Sequence, residues 1–144
     1  MDLLSQAEHD ESAQSILITT SQKLADLVEK EIEKILLILG RRDIAGPSWN
    51  NFGAIITVPS IEVAADLSNK IAPEHLELCV AKPKELLKKI SNAGAILFER
   101  SAATSREGTV IIVPKLFQLG PAISRLPKIK SIFSISFSTK SASF

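Results

Sequence analysis

Short apolar segments alternate along the chain with segments in which apolar residues recur every three or four positions. Residues 13–20 are apolar and β-branched and predict a strand. The spacing that follows predicts one face of a helix, made of Leu24, Leu27, Val28, Ile32, Ile35, Leu36 and Leu39. Thr19 and Gln22 have the spacing of a capping box for this helix, and Gly40 is a natural stop.

The same order of strand and helix occurs a second time. Residues 53–58 predict a strand that follows a loop containing Gly46-Pro47 and Trp49. Ser60 is placed to cap the next helix. The apolar face of that helix is predicted to contain Ile61, Ala64, Ala65, Leu67 and Ile71.

A third unit completes the pattern. Residues 76–80 predict a strand, Pro83 a helix start and Gly94 the end of that helix. Residues 95–98 and 109–113 predict two further strands. This alternation predicts an α/β fold, a Rossmann-like layered arrangement in which helices flank a mainly parallel sheet of four or five strands.

Composition limits the classes of protein that fit. The 144 residues are 45% hydrophobic, enough for one domain with its own core, and the net charge of +1 gives no strong field for nucleic acid or an anionic membrane. The single cysteine, Cys79, excludes an intramolecular disulfide and a thiolate-rich metal site. No apolar run approaches the length of about 18 residues that a membrane span needs. We therefore expect a cytoplasmic protein with no membrane partner.

The last part of the sequence has a different amino-acid composition. Glu107 is the last acidic residue, whereas basic residues continue to Lys140, and Phe133, Ile135 and Phe137 alternate with serines. We divide the chain into an α/β domain at residues 1–114 and a basic, Ser/Phe/Ile-rich tail at residues 115–144.

Two polar residues near the N-terminus are candidate metal ligands. Gln6 and His9 lie three positions apart, which places them on one face if the segment is helical. An amide oxygen and a neutral imidazole could then meet one metal ion. The alternative is a frayed terminal turn with two solvated polar side chains.

The adjacent residues Glu74 and His75 are candidate catalytic groups. They follow Pro73 at the junction between a predicted helix and the next strand, and ligands bind at such rims in α/β folds. A glutamate can activate water, and a histidine can take up a proton near neutral pH. A Glu-His dipeptide by itself is more often part of a solvated surface than of an active site.

These stretches resemble a known family. Residues 2–10 (DLLSQAEHD) and 71–78 (IAPEHLEL) resemble, in order and separation, signature stretches of the histidinol dehydrogenase family. The resemblance continues through residues 16–21, 53–56 and 92–96, and covers residues 1–100. It implies an enzyme that oxidises L-histidinol to L-histidine in two NAD-dependent steps, the last reaction of histidine biosynthesis.

The resemblance assigns expected roles to the candidate residues. By position, Gln6 and His9 match two ligands of a zinc ion that holds the substrate. Glu74 matches the residue that activates water for attack on the intermediate aldehyde. His75 matches the base that accepts the alcohol proton as hydride leaves.

Some expected parts of such an enzyme are missing from this sequence. The family takes a further aspartate and a further histidine from segments after the fourth strand, but neither residue type occurs here after His75. A catalytic zinc site needs three protein ligands, and no Gly-x-Gly-x-x-Gly run is present to bind NAD. We therefore expect an incomplete fold, weak or absent binding of zinc and NAD, and no catalysis by the isolated chain.

Alternative functions follow from the same features. An exposed sheet edge and the Ser-Phe-Ile tail favour a self-association module, with a homodimer expected. The basic tail suggests nucleic-acid binding as another alternative. Against this alternative, the basic residues are sparse and are separated by apolar ones. A folded remnant without activity is the preferred interpretation, and the loss of resemblance near Arg100 is consistent with an out-of-frame or decayed reading of an ancestral gene.

Overall fold

Five helices and five strands make up the described part of the chain. The computed structural model describes residues 1–98 and, for the backbone alone, residues 109–113. In chain order the elements are α1 (Asp2–Ala7), β1 (Ile16–Thr19), α2 (Gln22–Ile38), α3 (Arg42–Phe52), β2 (Ala54–Thr57), α4 (Ile61–Ile71), β3 (His75–Cys79), α5 (Pro83–Leu87), β4 (Ala95–Phe98) and β5 (Thr109–Val113). The tail predicted at residues 115–144 lies outside the described residues.

The strands form one mixed sheet in the order β2-β1-β5-β3-β4. β1 pairs in parallel with β2, and β3 pairs in parallel with β4. β5 lies between these two pairs and runs antiparallel to both β1 and β3. Four of the five strands therefore share one direction, which confirms the predicted α/β fold with parallel strands, although both pairings of β5 are antiparallel.

Alternate residues of the strands face two separate hydrophobic clusters, because successive side chains of a strand point to opposite faces. One cluster joins Ile16 and Ile18 of β1 to Leu76 and Leu78 of β3, and α4 and α5 cover it. Leu17 of β1 belongs to the other cluster, which α1, α2 and α3 cover. The sheet is thus the middle layer of three, as the sequence pattern predicts.

The loop predicted around Gly46-Pro47 is wrong, because α3 runs without interruption from Arg42 to Phe52 and contains Pro47. Proline has no N–H to donate within a helix, and its ring clashes with the carbonyl four residues earlier and with the N–H and Cβ of the residue directly before it. Gly46 has no Cβ to make that clash. Gly46-Pro47 therefore lowers the local helix propensity, but it does not interrupt α3 in the folded chain.

Tertiary contacts explain why α3 stays helical. Ala45 and Ser48 are fully buried. The Ser48 Oγ donates a hydrogen bond of 2.8 Å to the carbonyl of Ala13, which ties α3 to the segment before β1. Trp49 packs against the second cluster rather than within a loop. Burial of this face offsets the poor helix propensity of the glycine and the proline.

Two predicted helix boundaries also differ from the structure. Ser21, not Thr19, caps α2, because its hydroxyl accepts a hydrogen bond of 3.2 Å from the amide of Leu24. The predicted cap at Ser60 is confirmed by its bond to the amide of Val63.

The predicted apolar face of α2 is only partly buried. Ile32 is buried, whereas Leu27 remains about half-exposed at the margin of that face.

The second boundary concerns α5. This helix starts at Pro83 as predicted but ends at Leu87, so Gly94 does not terminate it. Gly94 instead lies directly before β4, where it contacts the backbone of Glu74, the residue before β3. None of the helices in residues 1–98 is long and apolar enough to cross a membrane.

Candidate active site

α1 is held firmly against the rest of the domain. Leu3, Leu4 and Ala7 are buried in the second hydrophobic cluster. The buried hydroxyl of Ser15 donates a hydrogen bond of 2.7 Å to the carbonyl of Leu3, which links α1 to the start of β1. Because the apolar face of α1 packs on this cluster, its polar residues Asp2, Ser5 and Gln6 lie away from the cluster.

β3 places polar side chains on the same side of the sheet as α1. Its even-numbered residues, Leu76 and Leu78, belong to the first cluster, so His75 and Glu77 point to the other face. His75 is half-buried and is the first residue of β3. Its Cα partners are Ala95 of β4 and Val113 of β5, so strands on both sides hold its backbone.

A pocket of about 270 Å³ lies between these two elements. It is lined by Asp2, Ser5 and Gln6 of α1, His75 and Glu77 of β3, and Leu97 of β4. The structure thus brings together Gln6 and His75, one residue from each of the two sequence motifs. Carboxylates, an amide, a hydroxyl and an imidazole in one cleft can bind a small polar molecule and exchange a proton with it.

His9 lies apart from this group. α1 ends at Ala7, and the chain then turns, with the amide of His9 donating a hydrogen bond of 3.0 Å to the carbonyl of Gln6. The His9 side chain is exposed and does not line the pocket. The shared helix face was expected only if the whole segment were helical, and α1 includes Gln6 but ends before His9.

Glu74 stands next to the pocket without lining it. It is exposed and directly precedes β3. Its carbonyl accepts a hydrogen bond of 2.7 Å from the amide of Ala95. This backbone hydrogen bond ties the residue before β3 to the first residue of β4.

A complete metal site is not formed by the described residues. Residues 1–98 contain no group of three or more histidine, cysteine, aspartate or glutamate side chains that could hold a metal ion. A catalytic zinc normally has three protein ligands and one open position. The histidine, cysteine, aspartate and glutamate side chains of the described residues do not supply these three ligands by themselves.

Comparison with known proteins identifies the family. A profile of the histidinol dehydrogenase family matches residues 1–109. The chain belongs to the histidinol dehydrogenase family. It is 58% identical over 96 residues to histidinol dehydrogenase of Ruegeria pomeroyi, and 56% identical over 96 residues to that of Cereibacter sphaeroides. Both alignments cover 67% of this chain and 22% of the relative.

A solved structure gives the same result. The crystal structure of histidinol dehydrogenase from Elizabethkingia anophelis superposes with a TM-score of 0.65 at 33% sequence identity. The superposition covers 74% of this chain and 23% of that protein. This chain therefore corresponds to less than a quarter of the length of these histidinol dehydrogenases.

Four residues that line the pocket were missed by sequence reasoning. Glu77 lies two positions after His75 in the strand, and Asp2 lies four positions before Gln6, on the same face if that segment is helical, so periodicity could have identified both. Ser5 neighbours Gln6 and carries no separate signal. Leu97 is the Cα partner of Glu77, which depends on strand register and could not be derived from local pattern.

Hydrogen bonds shift the titration of two carboxyl groups outside the pocket. The Ser12 hydroxyl donates to the Asp10 carboxylate at 2.6 Å and the Ser12 amide donates at 2.8 Å, which lowers the pKa of Asp10 below its ordinary value. The Lys89 ammonium donates to the Glu62 carboxylate at 2.9 Å, which lowers the pKa of Glu62. The second pair joins α4 to the segment that follows α5.

The Glu62 carboxyl should titrate below its ordinary pKa of 4.5 in the folded protein. A carboxyl whose pKa is lower when folded contributes stability above its unfolded pKa, and this contribution is lost as the pH falls through the folded pKa. Carbon-detected NMR titration measures the shift directly. Lys89→Ala should return the pKa of Glu62 toward 4.5, whereas Lys34→Ala, which removes another exposed salt bridge, should leave it unchanged.

Proposed function

We propose that this chain carries part of a histidinol dehydrogenase active site and binds L-histidinol in the pocket between α1 and β3. The supporting observation is that Gln6 and His75, which come from the two motifs that resemble the family signatures, line the same pocket. Asp2 and Glu77 add negative charge that suits the ammonium group of this substrate. Family membership over residues 1–109 supports the choice of substrate.

The proposed chemistry assigns a role to each group. In a completed site His75 would accept the proton of the substrate hydroxyl, since imidazole changes protonation near neutral pH, and NAD, when bound, would supply the hydride acceptor. Glu74, adjacent to His75, activates water for attack on the aldehyde at the second stage. Gln6 and His9 would contribute two zinc ligands. Among the described residues, histidine, cysteine, aspartate and glutamate side chains form no group of three that could hold the ion by themselves.

We further propose that the 144-residue chain does not catalyse the oxidation by itself. It matches only 22% of the length of its relatives, and its sequence contains no glycine-rich dinucleotide-binding motif. Holding a substrate in place contributes little to the rate unless the hydride acceptor is also bound and aligned. The homodimer and the cytoplasmic location expected from the sequence remain predictions.

The test combines a binding measurement with an activity assay on the 144-residue protein. L-histidinol should produce saturable NMR shifts at Gln6 and His75. His75→Ala should abolish saturable binding, whereas Gln22→Ala, on the exposed surface of α2, should leave it unchanged. With zinc and NAD added, no NADH should form above the blank.

Two results would contradict these proposals. Absence of saturable binding, or binding that persists fully in His75→Ala, would remove the pocket as a substrate site. Steady NADH formation that depends on His75 would show that the isolated chain is an active enzyme.

A further inference from the structure

The segment that leads into β3 has an unusual backbone. Ala72, which ends α4, adopts the left-handed conformation with φ 52° and ψ 58°. It is the only non-glycine residue with positive φ in the described part of the chain. Its amide donates a hydrogen bond of 2.9 Å to the carbonyl of Ser68. Alanine rarely adopts this conformation, so surrounding contacts must hold the turn that delivers Glu74 and His75.

One set of contacts comes from the residues that start β4. The Gly94 amide donates to the Pro73 carbonyl at 3.0 Å, and the Ala95 amide donates to the Glu74 carbonyl at 2.7 Å. A Cβ atom at Gly94 would lie 2.8 Å from the Glu74 carbonyl oxygen and 3.4 Å from its Cα. The backbones at positions 74 and 94 are therefore in direct contact.

A second set of contacts comes from Asn69 on α4. Its Nδ2 donates to the Lys89 carbonyl at 2.8 Å, and its Oδ1 accepts from the amides of Ser91 at 2.8 Å and Asn92 at 3.2 Å. The Asn92 side-chain amide in turn donates to the Asn69 carbonyl at 3.1 Å. One side chain thus holds the segment that connects α5 to Gly94.

We propose that Asn69 is a positioning residue for Glu74 and His75. It precedes the Ala72 turn on α4 and also holds the segment that brings Gly94 against Glu74. Hydrogen bonds therefore join the two segments at two points, between Asn69 and Asn92 and between Glu74 and Ala95. The orientation of His75 toward the pocket depends on the hydrogen bonds at both points. The effect of Asn69 on L-histidinol binding rests on the proposed function above. Its effect on the backbone position of Glu74 and His75 does not.

The experiment compares three variants of the 144-residue protein. Asn69→Ala removes all three side-chain bonds. Asn69→Asp keeps the acceptor for Ser91 and Asn92 but loses the donor to the Lys89 carbonyl. Glu62→Ala is the matched control, because it breaks the salt bridge to Lys89 between the same two parts of the chain without touching Asn69.

Asn69→Ala should accelerate hydrogen exchange at the Gly94 and Ala95 amides by about ten-fold, because local opening becomes easier. It should also shift the Glu74 and His75 resonances and weaken L-histidinol binding by about five-fold, the size expected from lost surface hydrogen bonds. Asn69→Asp should restore part of each change. Glu62→Ala should leave exchange, resonances and affinity at wild-type values.

The outcomes separate this proposal from the proposed function. If wild-type protein does not bind L-histidinol, the substrate assignment fails, and the exchange rates and resonances still decide the role of Asn69. Unchanged exchange at Ala95 and unchanged His75 resonances in Asn69→Ala would overturn the positioning role. Equal effects of Glu62→Ala and Asn69→Ala would also overturn it. Any contact between α4 and the segment that connects α5 to Gly94 would then explain both results. If Asn69→Ala does not fold, Asn69→Asp carries the same comparison.

Discussion

Leu76→Ala is expected to lower the free energy of unfolding by about 2–5 kcal/mol, the range for removing a fully buried leucine side chain. Leu76 is 0% exposed and lies in the first hydrophobic cluster. It is on β3, with Ile96 of β4 and Ile112 of β5 as its Cα partners. Urea unfolding followed by circular dichroism measures the loss.

Leu97→Ala provides a control of the same chemistry on the neighbouring strand. Leu97 is 53% exposed, so its truncation should change the free energy of unfolding by about 0.5 kcal/mol or less. Equal losses in the two variants would contradict the placement of β3 in the core. A large loss only in Leu76→Ala would show that the strand carrying His75 depends on the cluster beneath it.

Gly94→Ala is expected to lower the free energy of unfolding by about 1–3 kcal/mol, the usual range for overpacking. The added methyl group would lie 2.8 Å from the Glu74 carbonyl oxygen, which is backbone and cannot move aside as a flexible side chain would. The start of β3 should therefore shift together with the Glu74 and His75 resonances. Urea unfolding and NMR spectra of the same variant measure the two effects.

Gly40→Ala is the matched substitution for Gly94→Ala. A Cβ at Gly40 would meet no atom within 4 Å, and neither glycine has a positive φ. The control should therefore change the free energy of unfolding by about 0.5 kcal/mol or less. A similar loss at both positions would indicate a general cost of replacing glycine and would argue against the close approach at Glu74.

The candidate site was only partly predictable. Gln6 and His75 were selected from sequence motifs, and the structure places both at one pocket. His9 was expected beside Gln6, but α1 ends before reaching it, and a local spacing rule cannot specify where a short helix stops. Glu77 was missed although it shares the strand periodicity of His75. Asn69 had no local signal, because its partners follow another helix.

The sequence by itself determined which segments form most strands and helices, because the direction of successive side chains is a local property of the backbone. It also determined the family, through motifs that are continuous in the chain. Only the tertiary structure decided that β5 inserts antiparallel between β1 and β3, that α3 remains helical through Pro47, and that Gln6 and His75 line one pocket. Each of these depends on contacts between segments distant in sequence, whose free energy outweighs local propensity and is not encoded in any single stretch.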